Sequence, residues 1–341
     1  MKMKIIVDAF GGDNAPLEVL KGSAMAVEKL DNVEVILVGN EEKIKETAWK
    51  NSVSLNGIKI KQAPDVIEIC DEPTSILKEK SECSMAVGMK ALVDGEGDAF
   101  VSAGSTGALV VGSTFIVKRL KGIKRAALAT IMPTAKAPTM FLDVGANSDC
   151  RPEMLTQFGI MGSCYMNKIM GVNNPSVGLL NIGAEKSKGR VLELETYEQL
   201  EKAPVNFVGN VEAREIPKGE CSVIVTDGYT GNVALKLYEG MGSFFGKTLK
   251  DILLSGLKSK IAGILVLKKV KAFKKKMDYS EYGGAPLLGT SKPVIKAHGS
   301  SDAKAFYNAI RQADAFAKAK VIDEISASLT AMTKKSAEIA E

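Results

Sequence analysis

The sequence predicts an α/β fold, a three-layer α/β/α arrangement with one sheet covered by helices on both faces, on three observations. Short aliphatic runs alternate with amphipathic helical stretches along the chain. The aliphatic runs are nearly continuous rather than alternating, which is the pattern of strands buried on both faces. Many of them end in a loop that couples glycine with small polar or charged residues.

The elements follow in order. KIIVDA (4–9) reads as a buried strand, and Asn14 with Pro16 marks a capped helix start. VEVILVG (33–39) is the next strand, followed by a charged helix to about Lys50. Further strands are predicted at 58–63, 98–103, 125–131, 139–144, 176–182, 205–209, 222–227 and 293–298, with helices between many of them. EGMGSFFGKT (239–248) has the look of a phosphate-binding loop. Met241 stands where its first glycine is required, and Phe245 stands at the third glycine of a dinucleotide fingerprint. The segment reads instead as the middle of a long helix with small packing residues, within a helical protrusion around 240–277, and nucleotide binding is not supported. No Pro- or Ser-rich linker cuts the chain. Residues 1–333 are expected to form one domain of two intertwined lobes, and 334–341 a frayed tail.

Composition narrows the function classes. The 341 residues carry a net charge of +5, yet KSKIAGILVLKKVKAFKKKM (258–277) holds eight lysines and no acid, so the rest of the chain is net acidic. Such local basicity argues against nucleic-acid binding and for one specialised patch. Five scattered cysteines without a C-x-x-C pair, and a single histidine, His298, argue against a zinc site and suit a reducing, cytoplasmic setting. The N-terminal MKMKIIVDAF has too short an aliphatic run for a signal peptide. No apolar run approaches the roughly 20 residues that span a bilayer.

The glycine loops carry the chemistry. They are DAFGGD (8–13), SAGSTG (102–107), DVGAN (143–147), NIGAEKSKG (181–189), VGNVEAR (208–214), DGYTGN (227–232) and HGSSD (298–302). Parallel strands place such loops on one carboxyl edge, where ligands of open α/β sheets bind. Glycine lets backbone N–H groups approach an anion, and helix N-termini add positive potential. Lys186, Lys188 and Arg190 add charge nearby. Each loop alone also reads as an ordinary turn, with Asp8, Asp13, Asp143 and Asp227 as caps; seven together favour an anion-binding cleft. His298, at a strand end, is a candidate proton donor or oxyanion partner. No G-x-S-x-G elbow is present, and one histidine leaves little room for a serine-type triad.

In this order, and with GGAPLLG (283–289), these loops resemble the bacterial phosphate acyltransferases of the PlsX family, from about Met3 to about Asp323. Phe10, Ser105 and Ala184 stand where that family commonly has Met, Asn and Glu. The resemblance implies a Rossmann-like fold similar to isocitrate/isopropylmalate dehydrogenases and phosphotransacetylases. It implies homodimers attached peripherally to the inner face of the membrane, with no cofactor. The implied reaction makes acyl-phosphate from acyl-acyl carrier protein and inorganic phosphate, for phospholipid synthesis. Phosphate is then the nucleophile, so positioning and oxyanion stabilisation are the main tasks.

On that basis Lys186, Asp227 and His298 are the expected catalytic residues. Substrate binding falls to Asp8, Gly11, Gly12 and Asp13, to Gly104, Ser105, Thr106 and Gly107, to Asn147 and Asn181, and to Thr230, Gly231 and Asn232. Lys188, Arg190 and Arg214 are candidates for docking the acidic carrier protein. Leu257, Ile261, Ile264, Leu265, Lys268 and Lys269 are candidates for a membrane surface. For the stretch 258–277 a helical hairpin packed in the protein or dimer is the competing reading, and the resemblance tips the balance to the membrane. Three rivals stand beside the whole assignment: a phosphotransacetylase using short acyl-CoA, a dehydrogenase of the related fold with NAD and a metal, and a non-enzymatic tether of lipid enzymes.

Overall fold

A computed structural model describes residues 2–277 and 279–340; the side chains of 275, 276, 279, 280 and 333–340 lie outside the description, and the backbone of the expected tail continues a helix to Ala340. The strands are β1 (Met3–Asp8), β2 (Val33–Gly39), β3 (Ile58–Gln62), β4 (Ala99–Ser102), β5 (Ala127–Met132), β6 (Thr139–Leu142), β7 (Ser176–Asn181), β8 (Asn206–Glu212), β9 (Val223–Val225), β10 (Ala285–Leu288) and β11 (Val294–Lys296). The helices are α1 (Leu17–Lys29), α2 (Glu41–Lys50), α3 (Ser84–Val93), α4 (Thr106–Gly112), α5 (Pro152–Lys168), α6 (Val191–Lys202), α7 (Gly228–Leu254), α8 (Leu257–Lys276), α9 (Ala303–Lys318) and α10 (Val321–Ala340).

The strands form one sheet in the order β3-β2-β1-β4-β11-β10-β5-β6-β9-β7-β8. Period-two alternation along each strand feeds two cores. Ile5, Val7, Val35, Leu37 and Val101 face one core, closed by α1, α5, α9 and α10. Ile6, Ile36, Val38 and Phe100 face the other, closed by α3 and α4. Both faces are therefore apolar, which is why the strands read as continuous aliphatic runs. The three-layer fold is the one the pattern predicted.

The strand directions depart from expectation. β3, β2, β1, β4 and β11 are mutually parallel. β10 runs antiparallel to β11 and to β5, and β5 antiparallel to β6. From β6 through β9 and β7 to β8 the strands are parallel again. Two parallel blocks thus run in opposite senses, and the glycine loops do not share one carboxyl edge. Strands buried on both faces carry the same apolar pattern in either sense, so the reversal leaves no mark in periodicity.

Local chemistry fixes the helix starts. Asn40 accepts from the Lys43 amide (2.9 Å) to cap α2, with Glu41 and Glu42 in the first turn. Asp302 caps α9 through the Ala305 amide (2.8 Å). Asn14, expected as a cap, is not one. Helix α1 starts without a side-chain cap, and the Asn14 amide donates to the carbonyls of Ser300 (3.3 Å) and Ser301 (3.4 Å). That bond ties the first glycine loop to the last.

Helices α7 and α8 form the protruding hairpin. Only the start of α7 packs on the sheet, through Ala234, Leu235 and Tyr238, whose hydroxyl donates to the Pro133 carbonyl (2.6 Å). Farther out, a Cβ placed on Gly240, Gly242 or Gly246 would meet nothing within 4 Å. The small residues read as packing residues in the sequence therefore face open space within this chain. On α8, Leu257, Ile264 and Leu265 are 83%, 73% and 80% exposed. Among the described residues no helix is long and apolar enough to cross a membrane.

Candidate active site

Three loops interlock beyond the carboxyl ends of β1, β4 and β11. The Asp13 amide donates to the Gly299 carbonyl (2.8 Å). A Cβ on Gly11 would lie 2.6 Å from the Gly104 amide nitrogen and 2.8 Å from Ser102 Oγ, so only glycine permits this approach. Asp8 lies beneath, fully buried, accepting from Ser84 Oγ (2.6 Å) and Ser102 Oγ (2.7 Å). Burial pushes its carboxyl above the usual range, against the pull of those two hydroxyls. Asp8 thus shapes the loops from below. Ser105 caps α4, its Oγ accepting from the Ala108 amide (3.4 Å), with Thr106 and Gly107 forming the first turn.

His298 stands at the rim of this group. Its Nδ1 accepts from the Ser300 amide (3.2 Å) and pairs with Ser300 Oγ (2.8 Å), which leaves Nε2 as the protonated nitrogen of the neutral ring. Partial burial, followed by the charge of Lys236, holds its pKa below the usual value. The sequence reading missed Lys296, two residues earlier. Its side chain is 8% exposed, and its Nζ donates to the carbonyls of Ala103 (3.2 Å) and Ala297. The signal was a single lysine inside an otherwise apolar strand, PVIKAH.

A second group gathers beyond β6, β7 and β9. Asp143 accepts from the amides of Leu128, Ala146 and Asn147 at 3.0, 3.0 and 2.7 Å, and from Asn147 Nδ2 at 2.8 Å. Asn147 also donates to the Ala126 carbonyl (2.7 Å), so it is a loop organiser. Asn181 plays the same part for loop 182–189, donating to the Lys188 carbonyl (3.0 Å). Asp227 caps α7, accepting from the Thr230 amide (2.7 Å), Thr230 Oγ1 (2.9 Å) and Arg190 Nη2 (2.9 Å). The α7 terminus lies hard against the 143–147 loop: a Cβ on Gly231 would sit 1.9 Å from the Asp143 carbonyl oxygen. Asn232 is exposed beside Gly145.

Helix α7 runs from the second group to the first. Asn232 flanks Gly145, and farther along Lys236 and Glu239 lie close enough to His298 to act on its charge. From Thr230 to Lys236 is about 9 Å of helix.

The basic candidates divide. Lys186 is exposed in the 182–189 loop, paired with Glu201 of α6 (2.5 Å) and over the Tyr197 ring (5.1 Å), rather than with Asp227. Arg190 takes that place, bridging Glu193 and Asp227. Arg214 pairs with Glu212 (2.8 Å) and Glu215 (3.5 Å), which offsets its charge as a docking residue. Lys188 is exposed in its loop. Two cavities of about 440 and 420 Å³, lined respectively by residues such as Glu72 and Lys80, and Ala184 and Asn210, take no lining residue from the three-loop cluster, although Pro73, between Glu72 and Thr74 of the first, packs against Gly107. Among the described residues no group of three His, Cys, Asp or Glu side chains is arranged to hold a metal ion.

The fold and these loops define an α/β protein of phosphotransacetylase shape. A phosphotransacetylase from Streptococcus pyogenes superposes with a TM-score of 0.67 over 93% of this chain and 94% of its own, at 18% identity. The EutD phosphotransacetylase from Staphylococcus aureus superposes at 0.64 with the same coverage and identity. The family model described as "Fatty acid synthesis protein" matches residues 3–324. A phosphate acyltransferase from Acetivibrio thermocellus is 46% identical over 95% of both chains, and one from Clostridium botulinum 46% identical over 96% of this chain and 98% of its own. The chain belongs to this family, the phosphate acyltransferases of fatty acid and phospholipid synthesis, and is an acyltransferase.

Proposed function

We propose that the protein transfers a long-chain acyl group from the thioester of acyl carrier protein to inorganic phosphate, releasing acyl-phosphate and the carrier thiol. A phosphate oxygen attacks the thioester carbonyl carbon, the carbon–sulfur bond breaks, and the departing thiolate takes up a proton. The observation that carries this reading is the clasp of loops 8–13, 102–107 and 298–302, which surrounds backbone donors and one buried ammonium with glycine. Enzyme nucleophiles are poorly supplied: burial pushes the Cys83 thiol up to about 11 and, with Asp143 nearby, the Cys150 thiol up to about 12.

In this scheme the Ser105–Thr106–Gly107 turn holds phosphate, and the Thr230–Gly231–Asn232 turn offers donors from the other group. His298 stabilises the oxyanion or leaving thiolate through Nε2, and Asp227 fixes the α7 turn. Lys186 meets the anionic substrates from the rim once it leaves Glu201. The exposed apolar side chains of α8 and its lysines support a protein that sits at an anionic membrane and hands on a hydrophobic product, with a homodimer covering the open glycine face of α7.

Purified protein mixed with palmitoyl-acyl carrier protein tests it. Phosphate should release free carrier thiol together with a hydroxylamine-trappable acyl-phosphate. Turnover of acetyl-CoA but not of the carrier thioester would transfer the assignment to a phosphotransacetylase, and thiol release without phosphate would make the protein a thioesterase.

A further inference from the structure

We propose that Lys296 is the buried cation that holds the phosphate acceptor beneath the 103–107 turn. The inference rests on the phosphate-acceptor reading above and adds a residue that reading does not require. Lys296 closes β11, and its Nζ donates to the Ala103 carbonyl, one residue before Gly104 and Ser105. The ammonium has three N–H donors, and two reach the carbonyls of Ala103 and Ala297.

No carboxylate lies within 4.0 Å of Nζ among the described residues; the Asp8 oxygens instead accept from Ser84 and Ser102. A buried cation without a contacting counter-ion is costly unless a partner arrives. A phosphate dianion lodged against the 103–107 turn is such a partner, and the third N–H is the donor it would use. The groups that act on this charge are Asp13 and Asp8, which favour the ammonium, and Lys236 on α7 and His298, which oppose or adjoin it. Burial outweighs the two aspartates and lowers the Lys296 pKa to about 8. A dianion bound beside it raises that value again, so anion binding draws in a proton near pH 8.

The alternative is a purely structural lysine that ties β11 to the turn. Two measurements on the full-length chain separate the two. In steady-state assays with palmitoyl-acyl carrier protein, Lys296→Met should raise the phosphate KM at least tenfold and leave the carrier KM within twofold. In calorimetry of the wild-type protein across about pH 7–9, run in buffers of different ionisation enthalpy, sulfate should bind with net proton uptake that peaks close to the Lys296 pKa. Sulfate carries no proton of its own in this range, and His298, its pKa held below the usual value, is already neutral. The wild-type measurement keeps the test open if Lys296→Met does not fold. Phosphate-dependent turnover with no proton uptake and an unchanged phosphate KM in Lys296→Met overturns the inference and leaves the proposed function standing. Sulfate uptake of a proton without phosphate-dependent turnover keeps the anion site and removes the proposed reaction.

Discussion

Replacing Asp227 by alanine removes three bonds at the point where α7 meets the second group of loops. The carboxylate accepts from the Thr230 amide at 2.7 Å, Thr230 Oγ1 at 2.9 Å and Arg190 Nη2 at 2.9 Å. Loss of an N-cap costs about 1 kcal/mol. Loss of the half-buried threonine bond adds about 1 kcal/mol. The Arg190 pair adds under about 1 kcal/mol, because its side chain is 65% exposed and keeps Glu193. The total is about 2–3 kcal/mol, a fall in Tm of roughly 3–4 °C for a chain of this length. Asp227→Asn is the control: asparagine caps as well as aspartate, while its Nδ2 in place of Oδ2 loses the Arg190 pair and turns the Thr230 hydroxyl from donor to acceptor. Urea unfolding of the two variants should give about 2–3 kcal/mol for alanine and under about 1 kcal/mol for asparagine. Equal losses would refute the cap argument and assign the stabilisation to the Arg190–Asp227 pair.

Two further outcomes follow from the geometry. Gly231→Ala places a Cβ 1.9 Å from the Asp143 carbonyl oxygen and should destabilise the protein by about 1–3 kcal/mol in the same assay, with a shifted α7 terminus and lost turnover. Joint replacement of Lys268, Lys269 and Lys271 by glutamate removes about 1 kcal/mol of attraction per lysine, so sedimentation with anionic liposomes should weaken at least about a hundredfold; undiminished binding would defeat the electrostatic part of the membrane reading.

Much of the architecture was legible because burial on both faces leaves a strong, local mark. KIIVDA and VEVILVG are nearly continuous aliphatic runs and form β1 and β2. APLL (285–288) carries no clear strand signal, being short, preceded by two glycines and interrupted by Pro286, yet it forms β10 between β11 and β5. The loops were legible from their glycines, whereas their division into two groups depends on strand sense, which no side chain records. Asp227, expected among the catalytic residues, caps α7 and pairs with Arg190. Its place in a glycine loop marks Lys186 as an anion ligand, yet its partner is Glu201, fifteen residues on and visible only in space. Lys296 leaves no mark in the sequence beyond one lysine in an apolar strand; its burial shows only in its neighbours.

Helix α7 is about 40 Å long. Roughly its first ten residues rest on the sheet and the 143–147 loop, and the remainder projects with α8 into the open. It is therefore a lever with a short arm seated among the glycine loops and a long arm ending in the exposed apolar hairpin. A tilt of about 5° at the seat carries the far end about 2 Å. The converse also holds: whatever grips the hairpin narrows the angles open to the Thr230–Asn232 turn.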